Sequence, residues 1–459
     1  MKTCLLIAAF GAAAGMLCAG ESMVRVADIN PGPASSYPDQ MTVHNDAMYF
    51  RANTGLNDTE LWRFDGTNAT RAADIVPGPG GSSPAYLTSF QGQLYFDATT
   101  PSGGVRLYRY DGATASIVPT VPTAFWPGGG WKPVEWGPQI WFRTVKSPVA
   151  LACFNGTTLA RLNSPPWPNS EPVLFNGCLY YAAQDNLGSS GYGVELWRFD
   201  GTTQTRVSDL NPNSGDSYPE AFFVQGNTLY FRANDGTHGY ELYRYTGSGS
   251  PQLVADLNPG PGFANPGGFV TFRNTLYFSA DDGVHGFELW RLDGSQPVLA
   301  ADINPNPYQN EYEDPTSNST PSGLTVLNER LYFAATDGTY YGLWSYDGTE
   351  ARIVGGGMAN STTQLAVFRG ELYFDADDGQ SGRELWKMVA DANPRIDLAV
   401  SSAGTKVTLT EAETALYTIQ GSNDMVHWET LGTARPVDGR ISLDDPPGPP
   451  QRFYRAVRP

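Results

Sequence analysis

The sequence is poor in the residues that most often carry out catalysis. Its 459 residues include four histidines and four cysteines. None of the histidines, His44, His238, His285 and His427, has a partner at the spacing of a metal-binding motif. No catalytic residue is therefore assigned. A pair of carboxylates acting as acid and base stays open, because acidic residues are numerous and their separation is not visible from sequence.

Cysteine is too scarce for a disulfide framework. Beyond the first 20 residues only Cys153 and Cys178 remain. They fall on strands predicted for neighbouring repeats, so they could pair in an oxidising compartment or stay free.

Long apolar runs are missing apart from the first residues. An apolar stretch from Leu5 to Leu17 follows Lys2 and precedes Ala19 and Gly20, which is typical of a secretory signal peptide. We predict a signal peptide over 1–20, too short to span a membrane stably. The protein is then exported, as a secreted, periplasmic or surface-associated protein, without membrane insertion. A net charge of −18 disfavours nucleic acid as a partner.

Helical periodicity is absent, and turn-forming residues are abundant. The chain has 51 Gly and 35 Pro, with 12% aromatic residues. This composition predicts an all-β fold with many tight turns.

A repeated phrase organises most of the chain. Glu-Leu-Trp-Arg-Phe-Asp-Gly-Thr occurs at 60–67 and again at 195–202, with close copies at 288–295 and 343–349. An aromatic run of the type Leu-Tyr-Phe precedes it in eight copies, the first at 48–50 and the last at 372–374. Both phrases read as short antiparallel strands bounded by Asn-Gly or Asp-Gly turns.

Each repeat contains four strands, called a to d here, with the aromatic run on strand b and the Glu-Leu-Trp phrase on strand c. Four-stranded units in up-and-down order predict a β-propeller over 23–390. Eight blades result only if the orphan strand at 24–29 becomes strand d of the last blade. Seven blades plus a separate hairpin is the alternative. A linker at 391–394 precedes six short strands in 395–459, which predict a small β-sandwich.

The phrase Glu-Leu-Trp-x-x-Asp-Gly-Thr, preceded by Leu-Tyr-Phe-x-Ala-x-Asp-Gly and followed by Asp-Ile-Asn-Pro-Gly, resembles the bacterial ELWxxDGT repeat, a family also labelled hyalin-like. The segments 422–428 and 451–455 resemble the fibronectin-like carboxy-terminal modules of exported proteins from Verrucomicrobia-type bacteria. These resemblances imply an exported or surface-associated repeat protein. They supply no catalytic residue.

Acidic loops are the candidate metal ligands. Loops between strands b and c carry five carboxylates that suit Ca²⁺, which prefers oxygen ligands: Asp235, Asp281, Asp282, Asp377 and Asp378. Calcium is the one cofactor that the sequence suggests. The alternative is turn formation, since Asp is common in turns for conformational reasons alone.

The eroded third repeat holds the candidate ligand site. Trp126, Trp131 and Trp167 lie in loops rich in Gly and Pro, with Lys132 and Glu135 nearby. Flat aromatic side chains beside polar groups suit sugar rings, whereas the alternative is that these residues seal an imperfect blade interface.

The sequence thus predicts an exported, non-enzymatic binding or scaffold protein. Its partner is extracellular polysaccharide or a surface protein. A polysaccharide lyase or glycosidase on the same scaffold is the alternative, by analogy of fold.

Overall fold

The structure is a computed structural model. It describes the chain except for 1–2, 10–20, 56, 122–132, 145–148, 163, 186–192, 213–214, 306–317, 355–363, 391–394, 402–403, 411–416, 424–426, 428, 436–440, 446–450 and 458–459. Among the described residues all regular elements are strands, so none of them forms a helix able to cross a membrane. The chain divides into two compact units, one of them Val24–Lys387 and the other Met1–Met23 with Met388–Pro459.

The first unit is an eight-bladed β-propeller of antiparallel sheets, as predicted. In blade 1, strands a to d are Asp39–His44, Ala47–Asn53, Thr59–Phe64 and Ala69–Ala73. In blade 2 they are Ala85–Phe90, Gln93–Thr99, Val105–Tyr110 and Ala115–Ile117. In blade 3 they are Val134–Trp136, Gln139–Arg143, Leu151–Phe154 and Leu159–Arg161. In blade 4 they are Val173–Phe175, Cys178–Gln184, Glu195–Phe199 and Gln204–Arg206. Blade 4 has an added two-residue strand, Trp167–Pro168.

The second half of the ring repeats the same order. In blade 5, strands a to d are Glu220–Gln225, Thr228–Asn234, Tyr240–Tyr245 and Gln252–Ala255. In blade 6 they are Gly267–Phe272, Thr275–Asp281, Phe287–Asp293 and Gln296–Ala301. In blade 7 they are Ser322–Leu327, Arg330–Thr336, Tyr341–Tyr346 and Ala351–Ile353. In blade 8 they are Ala366–Phe368, Glu371–Asp377, Arg383–Ala390 and, from the amino terminus, Glu21–Ala27.

The amino-terminal strand closes the ring, which confirms the eight-bladed prediction. Glu21–Ala27 pairs with Arg383–Ala390 as strand d of blade 8. The strand ends two residues earlier than predicted. After this strand, the backbone N–H groups of Ile29 and Asn30 donate hydrogen bonds to the carboxylate of Glu384.

The core lies between neighbouring blades. The third residue of each aromatic run on strand b is fully buried in all eight blades: Phe50, Phe96, Phe142, Tyr181, Phe231, Phe278, Phe333 and Phe374. Trp62 of blade 1 packs against a cluster that includes Phe368 and Tyr373 of blade 8, and Trp344 of blade 7 belongs to a cluster that includes Tyr277 of blade 6. The tryptophans of strand c thus fill the space between blades, as predicted.

The Asp-Gly turns between strands c and d also follow the prediction. Asp200 Oδ1 accepts the backbone N–H groups of Thr202 and Thr203 at 2.9 and 2.7 Å, and Gly201 has a φ of 99°. Asp65, Asp111 and Asp347 make the same bonds in their own turns. Glycine follows because its lack of Cβ permits this left-handed backbone.

The second unit contains the carboxy-terminal sheets. Its strands are Arg395–Ser401, Gly404–Thr410, Tyr417–Ser422, Glu429–Ala434, Ile441–Asp445 and Gln451–Val457, together with Thr3–Ala9. Arg395–Ser401, Gly404–Thr410 and Ile441–Asp445 form one sheet. Tyr417–Ser422, Glu429–Ala434 and Gln451–Val457 form another. Thr3–Ala9, inside the predicted signal peptide, pairs with Gln451–Val457 in the second of these sheets.

The two remaining cysteines are both free. Cys153 is buried on strand c of blade 3, and Cys178 is half-buried on strand b of blade 4. The possible disulfide that the sequence left open is therefore not formed.

Candidate functional site

One end of the ring, called the top face here, carries the connections from strand d to the next strand a and the loops between strands b and c. The two sets of connections are joined by hydrogen bonds. Ser36 N donates to Arg383 O at 2.9 Å, and Ser217 N donates to Val194 O at 2.9 Å. The loops in which the sequence placed its carboxylates therefore share one surface.

The glutamate of the Glu-Leu-Trp phrase is a buried carboxylate that holds the top face together. Glu288 Oε2 accepts Ile303 N at 2.7 Å and the Ser319 hydroxyl at 2.7 Å, while Oε1 accepts Ser319 N at 3.1 Å. Five such glutamates are fully buried: Glu60, Glu195, Glu241, Glu288 and Glu384. Each organises the connection that follows strand d of its own blade.

Burial opposes ionisation of these carboxylates. It raises the pKa of Glu241 and of Glu288 to about 7, although backbone N–H donors work in the opposite direction. Their hydrogen bonds point inward to the protein backbone, so we assign the glutamates to stability and not to a ligand.

A Ser-x-Pro segment before strand a, which is absent from the predicted site residues, joins neighbouring blades. Ser36 donates its hydroxyl to Glu384 of blade 8 at 2.7 Å, and its carbonyl accepts Asn53 N of blade 1 at 2.8 Å. Ser82, Ser217 and Ser319 bridge their own pairs of blades through the same carbonyl. The signal was present, because Ser-x-Pro recurs just before strand a in the repeats.

The five predicted calcium ligands lie on the loops of blades 5, 6 and 8, where each has a turn-forming bond. Asp235 Oδ1 accepts Thr237 N and His238 N, both at 2.9 Å, and its Oδ2 accepts His238 Nδ1 at 2.7 Å. Asp282 makes the equivalent bonds with Val284 and His285.

Asp281 and Asp377 each bond the N–H of the glycine two residues on, at 2.7 Å. Asp378 Oδ1 accepts Gln380 N at 2.9 Å and Ser381 N at 2.8 Å. The turn role of all five is thus visible. Calcium binding by them stays a prediction.

A different group of carboxylates lies close enough to share a cation. Among the described residues, Asp58, Glu60 and Asp74 of blade 1 form such a group. Arg71 already occupies it, since its guanidinium pairs with Asp58 and lies 3.3 Å from Asp74. Glu60 is also bonded, to the N–H groups of Val76 and Ser82. A protein cation thus stands where a metal would have to bind.

The predicted sugar-binding residues are only partly described. Trp126, Trp131 and Lys132 lie outside the described residues. Glu135 is exposed on strand a of blade 3, and Trp167 is half-buried in the added strand of blade 4, opposite Gln184.

Glu135 lies exposed on strand a of blade 3, in the inner ring of strands. Strands a of successive blades are neighbours, as shown by Thr42 Oγ1 of blade 1, which donates to Leu87 O of blade 2 at 3.1 Å. The position opposite the first residue of each aromatic run is occupied, from blade 1 to blade 8, by Val43, Ser89, Glu135, Leu174, Val224, Thr271, Val326 and Val367. Glu135 is the charged member of this ring of eight.

A second carboxyl group in the same sector is buried. Blade 3 has Ala150 where blades 1, 4, 5, 6 and 8 have the glutamate of strand c, and Glu171 lies in the connection to blade 4. Glu171 Oε2 accepts Arg143 N at 2.9 Å, whereas its Oε1 is buried without a hydrogen-bond partner among the described residues. Burial raises the pKa of Glu171 to about 7, against the opposing influence of the Arg143 N–H and guanidinium.

The fold is similar to those of solved bacterial propeller structures at low sequence identity. PorZ, a surface component of the type-IX secretion system of Porphyromonas gingivalis, is 14% identical with a TM-score of 0.44, over 87% of this chain and 60% of that chain. A puromycin-hydrolyzing peptidase of Mycobacterium tuberculosis is 12% identical with a TM-score of 0.44, over 86% and 62%. A GH74 enzyme of Niastella koreensis is 12% identical with a TM-score of 0.35, over 86% and 65%.

This chain spans less than two thirds of the length of each of these three proteins, and the likeness is one of fold alone. The sequence matches no family profile and no curated protein. The resemblance to the ELWxxDGT repeat family and to the fibronectin-like module stays an interpretation of the motifs.

Proposed function

We propose that the protein is an exported, non-enzymatic binding protein that recognises extracellular polysaccharide off the ring axis, through the sector formed by blades 2 to 4. The observation that carries the proposal is the asymmetry among eight equivalent positions on the strands a, which puts Glu135 on the blade 3 side of the axis. Seven of the eight positions hold Val, Leu, Ser or Thr, and blade 3 alone presents an exposed carboxylate, Glu135. A site formed by repeated loops would occur in several blades, whereas a carboxylate at this position occurs in blade 3 alone.

The proposed mechanism combines stacking with hydrogen bonds. Glu135 and Lys132 would bond sugar hydroxyls, while Trp126, Trp131 and Trp167 would offer ring faces. Trp136 has a different role, because it packs against Trp141 and Phe199 with ring centroids 5.7 and 6.0 Å apart. Half-burial of Trp167 leaves part of its indole accessible.

Affinity electrophoresis in gels that contain neutral plant or bacterial polysaccharides tests this function. Glu135→Gln should weaken retention by roughly 10-fold, because a hydrogen bond to a charged group contributes about 1.5–3 kcal/mol. Thr271→Ser alters the equivalent ring position of blade 6 and serves as the matched control. A folded Trp126→Ala, Trp131→Ala double variant that binds like the unmodified protein would remove the proposal.

A polysaccharide lyase or glycosidase is the second candidate, and Glu171 is the observation that favours it. A carboxyl group with a pKa near 7 and an unpartnered oxygen has the properties of a general acid or base. Reducing-end and unsaturated-product assays on the polysaccharides that bind, repeated with Glu171→Gln, decide between the candidates. Product formation that Glu171→Gln abolishes would favour the enzyme.

A further inference from the structure

Blades 1 and 5 share a top-face arrangement that the other blades do not repeat in sequence. In blade 1 the Ser-x-Pro segment is Ser36-Tyr37-Pro38 and is followed by Asp39; in blade 5 it is Ser217-Tyr218-Pro219 and is followed by Glu220. The acidic residue pairs with an arginine of strand b in both blades. Arg51 Nη2 lies 2.6 Å from Asp39 Oδ2, and Arg232 Nη2 lies 2.6 Å from Glu220 Oε2.

The tyrosines occupy a backbone position that is unfavourable for them. Tyr37 has a φ of 49° and Tyr218 a φ of 39°, in the left-handed region where bulky side chains are rare. Other blades place Ser83, Asn265 and Thr320 there, with φ of 49°, 44° and 48°. Small polar residues therefore satisfy the fold at this position, and an aromatic ring in two blades calls for another reason.

The ring in blade 1 is accessible. Tyr37 is 56% exposed although the Arg383 guanidinium lies over one of its faces, 5.5 Å from the ring centroid. Arg383 in turn pairs with Asp375, whose pKa is raised mainly by burial and also by the nearby Asp39. Tyr37 thus contacts Arg383, and the Asp39–Arg51 pair lies near Asp375, the ion-pair partner of Arg383.

Blade 5 presents a similar set of groups. The hydrogen bond to Asp216 raises the pKa of Tyr218, with smaller effects from the nearby Tyr240 and Glu220. Tyr240 contacts Phe263 with ring centroids 5.6 Å apart, and Phe263 is 51% exposed. Phe263 therefore supplies accessible aromatic surface in blade 5, where Tyr218 itself is half-buried.

We propose that the Tyr37 and Tyr218 segments form two equivalent binding sites for neutral saccharides on the top face. The aromatic rings would stack on the apolar face of a pyranose. Each Arg–carboxylate pair would supply both donors and acceptors for hydroxyl groups without net charge.

The backbone around the tyrosines argues against a peptide ligand. Ser36 N and Ser36 O are bonded to Arg383 O and Asn53 N, and Ser217 is bonded in the same way to Val194 and Asn234. A peptide could not add here as a further strand, since that mode needs free main-chain groups. The net charge of −18 disfavours anionic polymers.

The two sites are four blades apart in a ring of eight and therefore lie on opposite sides of the axis. One polysaccharide long enough to reach both would bind more tightly than a short oligosaccharide, because the second contact becomes intramolecular. This inference does not depend on the sector of blades 2 to 4 proposed above.

Isothermal titration calorimetry with cellohexaose, laminarihexaose, mannohexaose and xylohexaose tests the inference on the full chain. We expect at least one hexasaccharide to bind with a stoichiometry of two. Tyr37→Asn and Tyr218→Asn, which copy the residue of blade 6, should each lower the stoichiometry to one without lowering the melting temperature. The double variant should not bind, whereas Tyr37→Phe with Tyr218→Phe should keep both sites.

Tyr340→Asn is the matched control, because Tyr340 is 52% exposed on a loop of blade 7 and belongs to no Ser-x-Pro segment. The inference is wrong if none of the four hexasaccharides binds, if the double asparagine variant binds as before, or if a nonaproline peptide binds these tyrosines instead. Loss of binding in Trp126→Ala, Trp131→Ala but not in the tyrosine variants would support the blade 2 to 4 site and overturn this one.

Discussion

Oε2 of Glu384 in blade 8 accepts the backbone N–H of Ile29 at 2.8 Å, across 355 positions of sequence. The same carboxylate accepts Asn30 N at 3.3 Å and the Ser36 hydroxyl at 2.7 Å. Arg369 of blade 8 also pairs with Asp46 of blade 1, at 2.6 Å on the opposite face. Side chains on both faces therefore hold the junction between the two ends of the propeller.

Glu384→Ala should destabilise the ring. The change leaves the N–H groups of Ile29 and Asn30 without an acceptor, and each unsatisfied buried donor costs about 1–3 kcal/mol. We expect the free energy of unfolding in urea to fall by about 3 kcal/mol. Arg106→Ala, at the equivalent position of blade 2, is the control and should cost less than about 0.5 kcal/mol. Equal losses in the two variants would contradict this role of the carboxylate.

Removal of the amino-terminal strand should lower the melting temperature. A chain that starts at Asn30 lacks Glu21–Ala27 and leaves the edge of Arg383–Ala390 unpaired. The comparison is with a chain that starts at Glu21, and thermal unfolding followed by circular dichroism is the measurement. If both chains melt at the same temperature, closure by this strand contributes no stability.

Stability should decrease as pH rises from about 5 to 8. The pKa values of Glu241 and Glu288 are about 7 in the fold, above their ordinary value of 4.5, so the folded state binds more protons between these values. His238 and His285, whose pKa values are raised by their aspartates, act in the same direction above pH 6.5. The pKa values of Asp200, Asp235 and Asp378, about 2, matter only below about pH 4.

Melting temperatures of wild type and a Glu241→Gln, Glu288→Gln double variant at pH 5 and 8 test this. The difference between the two pH values should shrink in the double variant. Glu329→Gln changes an exposed carboxylate and should leave the difference unaltered. A wild-type protein that is more stable at pH 8 would show that the hydrogen bonds to these carboxylates outweigh their burial.

Calcium should raise the melting temperature through the loops of blades 5, 6 and 8. A cation at about 100 times its Kd would add roughly 2.7 kcal/mol if it binds the folded state alone. Melts in excess EDTA and in millimolar calcium give the comparison. Asp281→Asn with Asp282→Asn should reduce the effect, whereas Asp337→Asn in blade 7 should not. Superimposable melts would leave these aspartates as turn formers.

Strand counting was enough to predict the closed ring, because the orphan strand before residue 30 matched the strand missing from blade 8. The role of Glu60 and its equivalents was not predicted. Their partners lie 15 to 22 residues further along the chain in blade 1, and spacing alone does not show which loop folds back on a carboxylate. The hydrogen bonds in the structure show that the glutamate of the repeated phrase is an acceptor for backbone N–H groups.

Tyr37 and Tyr218 are absent from the predicted ligand residues because they are not unusual in the sequence. Both belong to copies of one pattern, Ser-Tyr-Pro and an acidic residue followed by Tyr-Phe-Arg-Ala-Asn on strand b. Tyr37 is exposed and Tyr218 is half-buried, and this depends on the turn geometry, which the residue types do not specify. Trp167 is the opposite case, since a residue expected to be available for stacking is half-buried in a short added strand.

The seam in blade 8 has a consequence for how the protein folds during or after synthesis. Strand Glu21–Ala27 is made first, but its partner Arg383–Ala390 is made only after seven other blades. It therefore cannot pair with this partner until nearly the whole propeller has been produced, and the closing step joins segments far apart in sequence. Such non-local pairing is slow and exposes a strand edge meanwhile. We expect completion of blade 8 to limit the rate of folding, and an excess of a peptide copying 21–27 to compete for the open edge.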